Sequence, residues 1–289
     1  MTYAFIRQHL ARDYPVRTCC RVLGVSPSGY YHARSRGPCR RDCRHAVLAE
    51  AIRVAHTVNR GVYGSPRIAR DLRSRGVPIC RNTAARIMRE LGLRSRRARR
   101  FRPRTTDSSR TLRPAPNILN RGFRAPRPDA VWLADITYVP LQNGFAYLAA
   151  VMDLHSRAIV GWALDDSLAA ALAARALEAA VARRRPPPGT VHHSDRGVQY
   201  DSLLYRALLA RHGFVQSMSR RGDCYDNAPM ESFFATLKSE LIGDARYRTI
   251  DHARDHLVPF IDGFYLHRRL HSSLGYSTPA SALLASATP

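Results

Sequence analysis

The positive charge of this chain is confined to its N-terminal part. Residues 1–128 contain 30 arginines and six acidic residues, whereas residues 129–289 contain 16 basic and 16 acidic residues, so the formal charge of +24 belongs to the first segment. At 289 residues the chain is long enough for about two domains of ordinary size. The unequal charge predicts that the first part binds a polyanion, and it excludes a uniformly basic coat protein.

Several other classes of protein are excluded by simple patterns. The longest apolar stretch, 168–182, is interrupted by two charged residues, and the N-terminus lacks the apolar segment of a secretory signal. The six cysteines are too few and too irregularly spaced for a disulfide framework, which is typical of a reducing cytosol. Cys39, Cys43 and His45 lack a fourth ligand for zinc. We therefore expect a cytoplasmic protein, nucleoid-associated when bound to DNA, with no membrane partner.

The first part of the chain has the pattern of paired helices. Residues 15–34 predict two short helices separated near Gly24. Gly76-Val77-Pro78 separates a second pair, in which Asn82 or Thr83 can cap the second helix. Such a pair predicts a helix-turn-helix unit that binds DNA, although an ordinary basic pair with solvated side chains has the same pattern. The arginines that would contact a DNA groove or its phosphates are Arg81, Arg86 and Arg89.

A linker rich in arginine follows the helices. The segment 94–127 contains 12 arginines and one acidic residue and has no helical period. Next to a DNA-binding unit, we expect it to follow phosphates, although a merely solvated chain is the alternative. The arginines expected to contact DNA here are Arg96, Arg97, Arg99 and Arg100. The predicted regions are therefore 1–93 (helical DNA binding), 94–128 (linker) and 129–289.

After residue 128 the pattern becomes that of an α/β domain. Strands are predicted over 130–140 and 145–152, joined by the two-residue turn signal Asn143-Gly144. A third strand over 158–164 follows. Further along, the chain predicts a helix (168–183), a strand (190–193), a helix (202–212), a strand (214–219) and a helix (227–241). This order predicts a mixed sheet flanked by helices.

Three carboxylates in this region suggest metal-dependent chemistry. Asp135 interrupts an otherwise apolar strand, Asp195 follows the end of another strand, and Glu231 lies on the next helix. A buried carboxylate is costly unless it is paired or binds a metal. If the two strands are neighbours, Asp135 and Asp195 repel each other unless a cation lies between them. A pair of Mg²⁺ ions would relieve this repulsion and support phosphoryl transfer.

The helix that carries Glu231 adds two further candidates. Lys238 follows Glu231 by seven residues, about two turns, and Asn227 precedes it by four, so all three project from one face. Lys238 is the only lysine among 46 basic residues. A compact positive charge at this position suggests a contact with phosphate, although one lysine could simply have survived in an arginine-rich composition.

Four sequence segments around these residues resemble those of a known family. They are WLADITYVP with Asp135, VMDLHSRAIVGW, HHSDRGVQY with Asp195, and DNAPMESFFATLKSE with Glu231 and Lys238. The chain resembles the DDE transposases of bacterial insertion sequences, the second-frame (OrfB) products with a retroviral-integrase-like core. Asp195 and Glu231 enclose the 35 residues of that family's motif. GVSPSGYY and VYGSPRIARDL resemble its helical DNA-binding region, and FYLHRRLHSSLGYSTPA resembles its C-terminal signature, except that Leu266 stands where Asn is common.

This resemblance implies a fold, an activity and partners. It implies an RNase H-like core over 129–289 with a C-terminal helical signature, preceded by a small all-α helix-turn-helix region. It implies a polynucleotidyl transferase in which Asp135, Asp195 and Glu231 bind two Mg²⁺ ions, replaceable by Mn²⁺, to cut and join element ends and target DNA. Asn227 and Lys238 would orient Glu231 and contact the DNA. A first-frame (OrfA) protein, separate or fused, and a homo-oligomer are also implied.

Alternative functions share parts of this pattern. A catalytically inactive DNA-binding regulator derived from a transposase would keep the basic N-terminal part, and a structure-specific nuclease would cleave branched DNA without joining it. A tyrosine recombinase has no support, because two His-x-x-Arg matches are about the number expected by chance in this composition. His193, two residues before Asp195, fits a group that supports the site or a core histidine equally well.

Overall fold

The structure is a computed structural model that describes residues 2–96, 115–220 and 224–285. The chain divides into two compact units, Met1–Val54 and Ala55–Pro289. The predicted boundary after residue 93 separates a DNA-binding region from the rest of the chain and is not a boundary between compact units. It stays a prediction. In the described part, no helix combines the length and the apolar character that crossing a membrane requires.

The first unit is helical. Its elements are α1 (Thr2–Phe5), a π-helix (Ile6–Leu10), α2 (Val16–Val22), α3 (Pro27–Ser35) and most of α4 (Arg40–Val58). The predicted pair of helices over 15–34 is present as α2 and α3. Ser26 caps α3 by accepting a hydrogen bond from the amide of Gly29 at 2.9 Å. Cys19 and Cys20 are buried as small apolar residues, and they are free thiols, as are Cys39, Cys43 and Cys80.

The second pair of helices belongs to the second unit. It consists of α5 (Ser65–Ser74) and α6 (Arg81–Glu90), which bury one apolar face each. Gly76 adopts a φ of +80° in the turn between them, a conformation that favours glycine. The predicted cap was wrong, because Cys80 caps α6 through its Sγ, which accepts a hydrogen bond from the amide of Thr83 at 3.4 Å. The helix therefore begins two or three residues earlier than a cap at Asn82 or Thr83 would allow.

The start of α5 is joined to a segment near the C-terminus, and we call this contact the clasp (Tyr63 and Arg67 with residues 268–270). The Tyr63 hydroxyl donates to the carbonyl of Arg268 and accepts from the amide of Leu270, both at 2.8 Å. Arg67 Nε donates to the Leu270 carbonyl at 3.0 Å. Tyr63 is fully buried, so this phenol is satisfied only while the C-terminal segment is in place.

Five strands form the mixed sheet that the sequence predicts. They are β1 (Val131–Pro140), β2 (Phe145–Asp153), β3 (Ile159–Asp165), β4 (Val191–Ser194) and β5 (Val215–Met218), in the order β3-β2-β1-β4-β5. The pairs β1–β2 and β2–β3 are antiparallel, whereas β1–β4 and β4–β5 are parallel. Each strand agrees with its predicted range to within one residue at either end. The α/β core and the helical region before it are therefore confirmed.

The connection between β1 and β2 spans the four residues 141–144 that the predicted strand ranges leave between them, two more than the turn signal Asn143-Gly144 alone. It is closed by a hydrogen bond from the Leu141 amide to the Gly144 carbonyl at 3.0 Å. A long-range contact holds its first half: Leu141 forms a β-bridge with Tyr247, and the Gln142 amide donates to the Tyr247 carbonyl at 2.8 Å. Gly144 lies in the turn at a φ of +97°.

Helices cover the sheet and complete the second unit. They are α7 (Ala170–Arg184), α8 (Val198–Asp201), α9 (Leu203–Arg211), α10 (Ala228–Leu237), α11 (Ile250–Val258) and α12 (Pro279–Ala285). Helix α7 lies so close to β3 that a Cβ on Gly161 would come within 2.4 Å of the backbone nitrogen of Ala180. The predicted helix over 227–241 is divided, because α10 ends at Leu237 and a π-helix (Lys238–Ile242) continues it.

Candidate active site between β1 and β4

Asp135 and Asp195 occupy equivalent positions in the two central parallel strands. Ala134 of β1 pairs with Ser194 of β4, so the next residue on each strand is one of the two carboxylates. Backbone amides fix both side chains: Asp135 Oδ1 accepts from the amide of Ile136 at 2.8 Å, and Asp195 Oδ1 accepts from the amide of Gly197 at 2.9 Å. The carboxyl end of a parallel strand pair is the edge at which α/β sheets place their ligands.

The two carboxylates destabilise each other's charged form. Burial, followed by the negative charges of Asp195 and Glu231, raises the pKa of Asp135 well above its usual range. The Ile136 amide and the Lys238 ammonium act in the opposite direction. Burial likewise raises the pKa of Asp195, against the effect of the Gly197 amide. This edge of the sheet therefore favours a bound proton or a cation.

Asn227 attaches the start of α10 to β1 beside Asp135. Its side-chain amide donates to the carbonyl of Ala134, the residue before Asp135, at 3.2 Å. The Asn227 side chain is buried and makes no capping bond to α10, and its Oδ1 has no hydrogen-bond partner in the described part of the chain. Glu231 lies in the first turn of α10, where partial burial raises its pKa.

Lys238 lies at the junction between α10 and the π-helix. Its Nζ is 4.5 Å from the centre of the Tyr138 ring, and Tyr138 follows Asp135 by three residues on β1. Burial lowers the pKa of Lys238, whereas the charge of Asp135 raises it. Lys238 and Glu231 both contribute to the electrostatic field at Asp135.

A carboxylate that the sequence analysis did not select supports this arrangement. Asp226, directly before Asn227, is fully buried and accepts from Asn117 Nδ2 and from the Arg220 amide, each at 2.8 Å. The hydrogen bond from the Arg220 side chain holds the pKa of Asp226 far below its usual range. Arg121 forms a further ion pair with it at 3.2 Å. The only sequence signal was an acidic residue at the start of the DNAPMES motif, two residues before Ala228.

His193 belongs to the core of the sheet. Its Nδ1 lies 2.8 Å from Ser217 Oγ and its Nε2 lies 3.2 Å from Ser219 Oγ, so both ring nitrogens are engaged. Burial lowers the pKa of His193 to about 4, and the ring is therefore neutral at physiological pH. Of the two interpretations that the sequence allowed, these contacts favour the core histidine.

The arginines predicted to contact DNA are exposed where the structure describes them. These residues are Arg81, Arg86, Arg89 and Arg96. Arg86 forms an ion pair with Glu90 at 2.8 Å, and Arg89 Nε donates to the Ala85 carbonyl at 3.4 Å. Arg97, Arg99 and Arg100 lie outside the described residues.

The ligands available at this edge are those of a hard cation. Asp135, Asp195 and Glu231 provide carboxylate oxygens, and the unpartnered Oδ1 of Asn227 lies beside them. Within the ranges 2–96, 115–220 and 224–285, no three His, Cys, Asp or Glu side chains converge closely enough to enclose a metal ion. The donor set fits Mg²⁺ or Mn²⁺ in its chemistry, with Glu231 the most exposed of the three carboxylates.

The raised pKa of Asp135 predicts that Asp135→Asn increases the stability of the folded chain in chelating buffer, by an amount that depends on pH. Because the folded chain binds this proton more tightly than the unfolded chain, the associated stability is complete below the ordinary Asp pKa of about 3.9 and is lost as the pH rises through the raised value. The amide avoids this loss, so the variant should unfold at a higher temperature than the wild type near neutral pH but not in acid. The gain is about 1.4 kcal/mol for each tenfold change in proton affinity.

Thermal unfolding of the variant, the wild type and the matched control Asp244→Asn across about pH 4 to 8 measures this difference. Asp244 is exposed, so its substitution should leave the profile of the wild type unchanged. Identical profiles for Asp135→Asn and the wild type would contradict the prediction.

Family models match most of the chain. An integrase core domain matches residues 125–224, a second integrase core domain matches residues 212–279, and an HTH-like domain matches residues 44–101. The two integrase core matches together include all three candidate carboxylates, and the HTH-like match includes α5 and α6.

Relatives of the chain are similar over nearly their whole length. The insertion element IS600 uncharacterized 31 kDa protein of Shigella sonnei is 42% identical over 262 residues, which cover 91% of this chain and 96% of that protein. The transposase InsF for insertion sequence IS3A of Escherichia coli (strain K12) is 38% identical over 286 residues, 96% of this chain and 97% of InsF. A simian T-cell lymphotropic virus intasome structure has a TM-score of 0.49 at 14% identity, covering 83% of this chain and 76% of that chain.

Proposed function

Since this chain belongs to the insertion-sequence transposases with an integrase core, and so acts in DNA transposition, we propose that Asp135, Asp195 and Glu231 are its catalytic carboxylates. They hold two Mg²⁺ ions, which Mn²⁺ can replace, in a DDE-type polynucleotidyl transferase. The observation that carries this proposal is the adjacency of Asp135 and Asp195, two partly buried carboxylates with raised pKa values that directly follow the last paired residues of β1 and β4. The alternative of an inactive regulator has no comparable support, because the relatives are transposases.

The chain's own residues prepare the site for two successive displacements at phosphorus. When bound, the metal ions lower the pKa of the attacking water or 3′-hydroxyl and neutralise charge on the phosphoryl oxygens. The amides of Ile136 and Gly197 hold the two aspartates in fixed orientations. Asn227 keeps the first turn of α10, and with it Glu231, against β1. Lys238, half-buried beside Asp135, supplies a positive charge for a DNA phosphate near the cut.

A cleavage and strand-transfer assay tests this proposal. The full chain is incubated with duplex DNA that ends in the element's terminal repeats, in the presence of Mg²⁺, Mn²⁺ or a chelator. We expect free 3′-hydroxyl ends and joined products with either metal ion and neither product with the chelator. Cleavage that persists in chelator would contradict the role of the carboxylates.

Thermal unfolding gives a second readout that does not depend on activity. Mg²⁺ at 100 times its dissociation constant should stabilise the folded wild type by about 2.7 kcal/mol, because the ion binds only the folded chain. The same concentration should have no effect on Asp135→Asn. Equal stabilisation of both proteins would place the ion elsewhere and contradict the proposed ligands.

The partners follow from the same proposal. The chain acts on double-stranded DNA, at element ends and target, as a homo-oligomer and together with a first-frame (OrfA) protein or as a fusion with it. The exposed arginines of α6 and Arg96 support contacts with DNA phosphates. Sedimentation of the full chain with end DNA, with and without the first-frame protein, measures each of these associations.

A further inference from the structure

A cavity of about 310 Å³ lies against α10, on the face that carries Ser232 and Thr236. It is enclosed by α10, by the turn after β2 and by the C-terminal segment that follows the π-helix Pro259–Tyr265. Its α10 wall includes Ser232 and Thr236, and Ser232 directly follows Glu231 in the sequence. The charged side chains that line the cavity are Arg67, Arg157 and Arg269. All of these residues belong to the second unit.

Two of the three arginines contact one carboxylate, that of Glu240, and the third makes no ion pair among the described residues. Arg269 binds Glu240 through two hydrogen bonds of 2.8 Å, and both side chains are buried. Arg67 Nη1 lies 3.7 Å from the same carboxylate. Arg157 donates to the Phe123 carbonyl at 2.9 Å and has no ion pair within 4 Å among the described residues.

The nearby carboxylates are too few to balance the charges of the three arginines. Asp153, whose two oxygens accept from the Asp129 and Ser156 amides, stabilises the charge of Arg157. Together with Glu240 it supplies two negative charges against the three arginines. His271, which also lines the cavity, adds no negative charge. Burial and then the charges of the surrounding arginines lower the pKa of His271 to about 3. The cavity therefore holds a net excess of partly buried positive charge, which is unfavourable without an anion.

We propose that this cavity binds one phosphate group of the DNA backbone, next to the phosphodiester that the protein cuts. Guanidinium groups match the geometry of phosphate oxygens, and the hydroxyls of Ser232 and Thr236 add donors at the wall formed by α10. The first turn of α10 lacks a side-chain cap from Asn227, so its positive end also favours an anion here. The volume excludes a duplex but admits a single phosphate with part of its nucleotide.

The position of the cavity determines which phosphate is bound. This inference rests on the proposed function: Ser232 directly follows Glu231 on α10, their side chains point about 100° apart around the helix axis, and a phosphate at Ser232 would belong to a strand that crosses the same turn of α10. Such a contact would fix the strand relative to the carboxylates without taking part in the chemistry. Arg157 is then a positioning residue, and Arg67 and Arg269 also hold the clasp and Glu240.

Arg157→Gln tests the cavity, with Arg211→Gln as a matched control. Both substitutions remove one positive charge, but Arg211 is exposed at the end of α9, away from the residues that line the cavity. Binding of the full chain to duplex DNA with the terminal repeats is measured by fluorescence anisotropy in chelating buffer at several salt concentrations. We expect Arg157→Gln to weaken binding at least about tenfold and to reduce the salt slope by about 0.9, as for the loss of one phosphate contact. Arg157→Lys should restore part of the affinity.

Neutral methylphosphonate linkages identify the bound phosphate. Placed one at a time along each strand, they should weaken binding of the wild type at a position near the cut, and this penalty should disappear in Arg157→Gln. Similar melting temperatures of the two glutamine variants establish that Arg157→Gln is folded. Because the buffer contains chelator, failure of the metal and carboxylate proposal would leave these binding results unchanged.

Two outcomes overturn the inference. One is an Arg157→Gln variant with the affinity and salt slope of Arg211→Gln. The other combines two results: inorganic phosphate stabilises the wild type but not Arg157→Gln, and the two proteins bind DNA with equal affinity. That combination would assign the cavity to a free phosphate ion.

Discussion

Asp135→Asn is expected to reduce metal-dependent cleavage and strand transfer by roughly 10³-fold or more, the loss seen when a group that acts in the transition state is removed. The amide has nearly the size of the carboxylate but carries no negative charge, so it holds a divalent cation poorly. DNA binding should remain, because the arginines of the first 128 residues are untouched. Gel assays of cleavage and joining, together with DNA-binding isotherms, measure both properties on the same protein.

The matched control for this experiment is Asp244→Asn. It makes the same chemical change at an exposed residue and should retain the activity of the wild type. Asp195→Asn should behave like Asp135→Asn, since the two carboxylates occupy equivalent positions on paired strands. Cleavage by Asp135→Asn at the rate of the control would refute the assignment of the site.

Glu240→Gln is expected to destabilise the second unit by about 3–5 kcal/mol, which is typical when one partner of a buried ion pair is removed. Glu240 and Arg269 are 7% and 6% exposed, and the substitution leaves the Arg269 guanidinium buried without a charged partner. For a unit of this size the melting temperature should fall by roughly 6–20 °C. Calorimetry or circular dichroism on the full chain measures the change.

Two further variants make this second experiment specific. Glu178→Gln, at an exposed position on α7, should leave the melting temperature within about a degree of the wild type. The double variant Glu240→Met with Arg269→Met should unfold at a higher temperature than Glu240→Gln, because no charge is left buried alone. A Glu240→Gln melting temperature equal to that of the Glu178→Gln control would show that the pair contributes little.

The position of the candidate carboxylates could be predicted because local patterns determine it. Asp135 is informative as an acid inside an apolar strand, and Asp195 as an acid just after one, so a parallel pairing of the two strands suffices to bring them together. Lys238 is informative because no other lysine exists in the chain. The five strands were predictable for the same reason, since alternation of side chains is a local property.

Long-range contacts explain what the sequence patterns missed. Glu240 looks like an ordinary acid on a helix, and its partner Arg269 is 29 residues further along the chain. The β-bridge between Leu141 and Tyr247 joins residues more than 100 positions apart. The change from α10 to a π-helix after Leu237 likewise leaves no mark in the helical period of the sequence. Each of these features depends on tertiary packing, which local periodicity does not contain.

The clasp has a consequence for how the chain is made. Tyr63 and Arg268 are separated by 205 positions, and at about 5–20 residues per second a ribosome needs roughly 10–40 s to synthesise the chain between them. During that time the start of α5 lacks its partner. A copy of the gene with a stop codon after residue 260 would therefore encode Asp135, Asp195 and Glu231 yet leave the Tyr63 phenol unpaired. Translation to the last segment is what allows the second unit to finish folding.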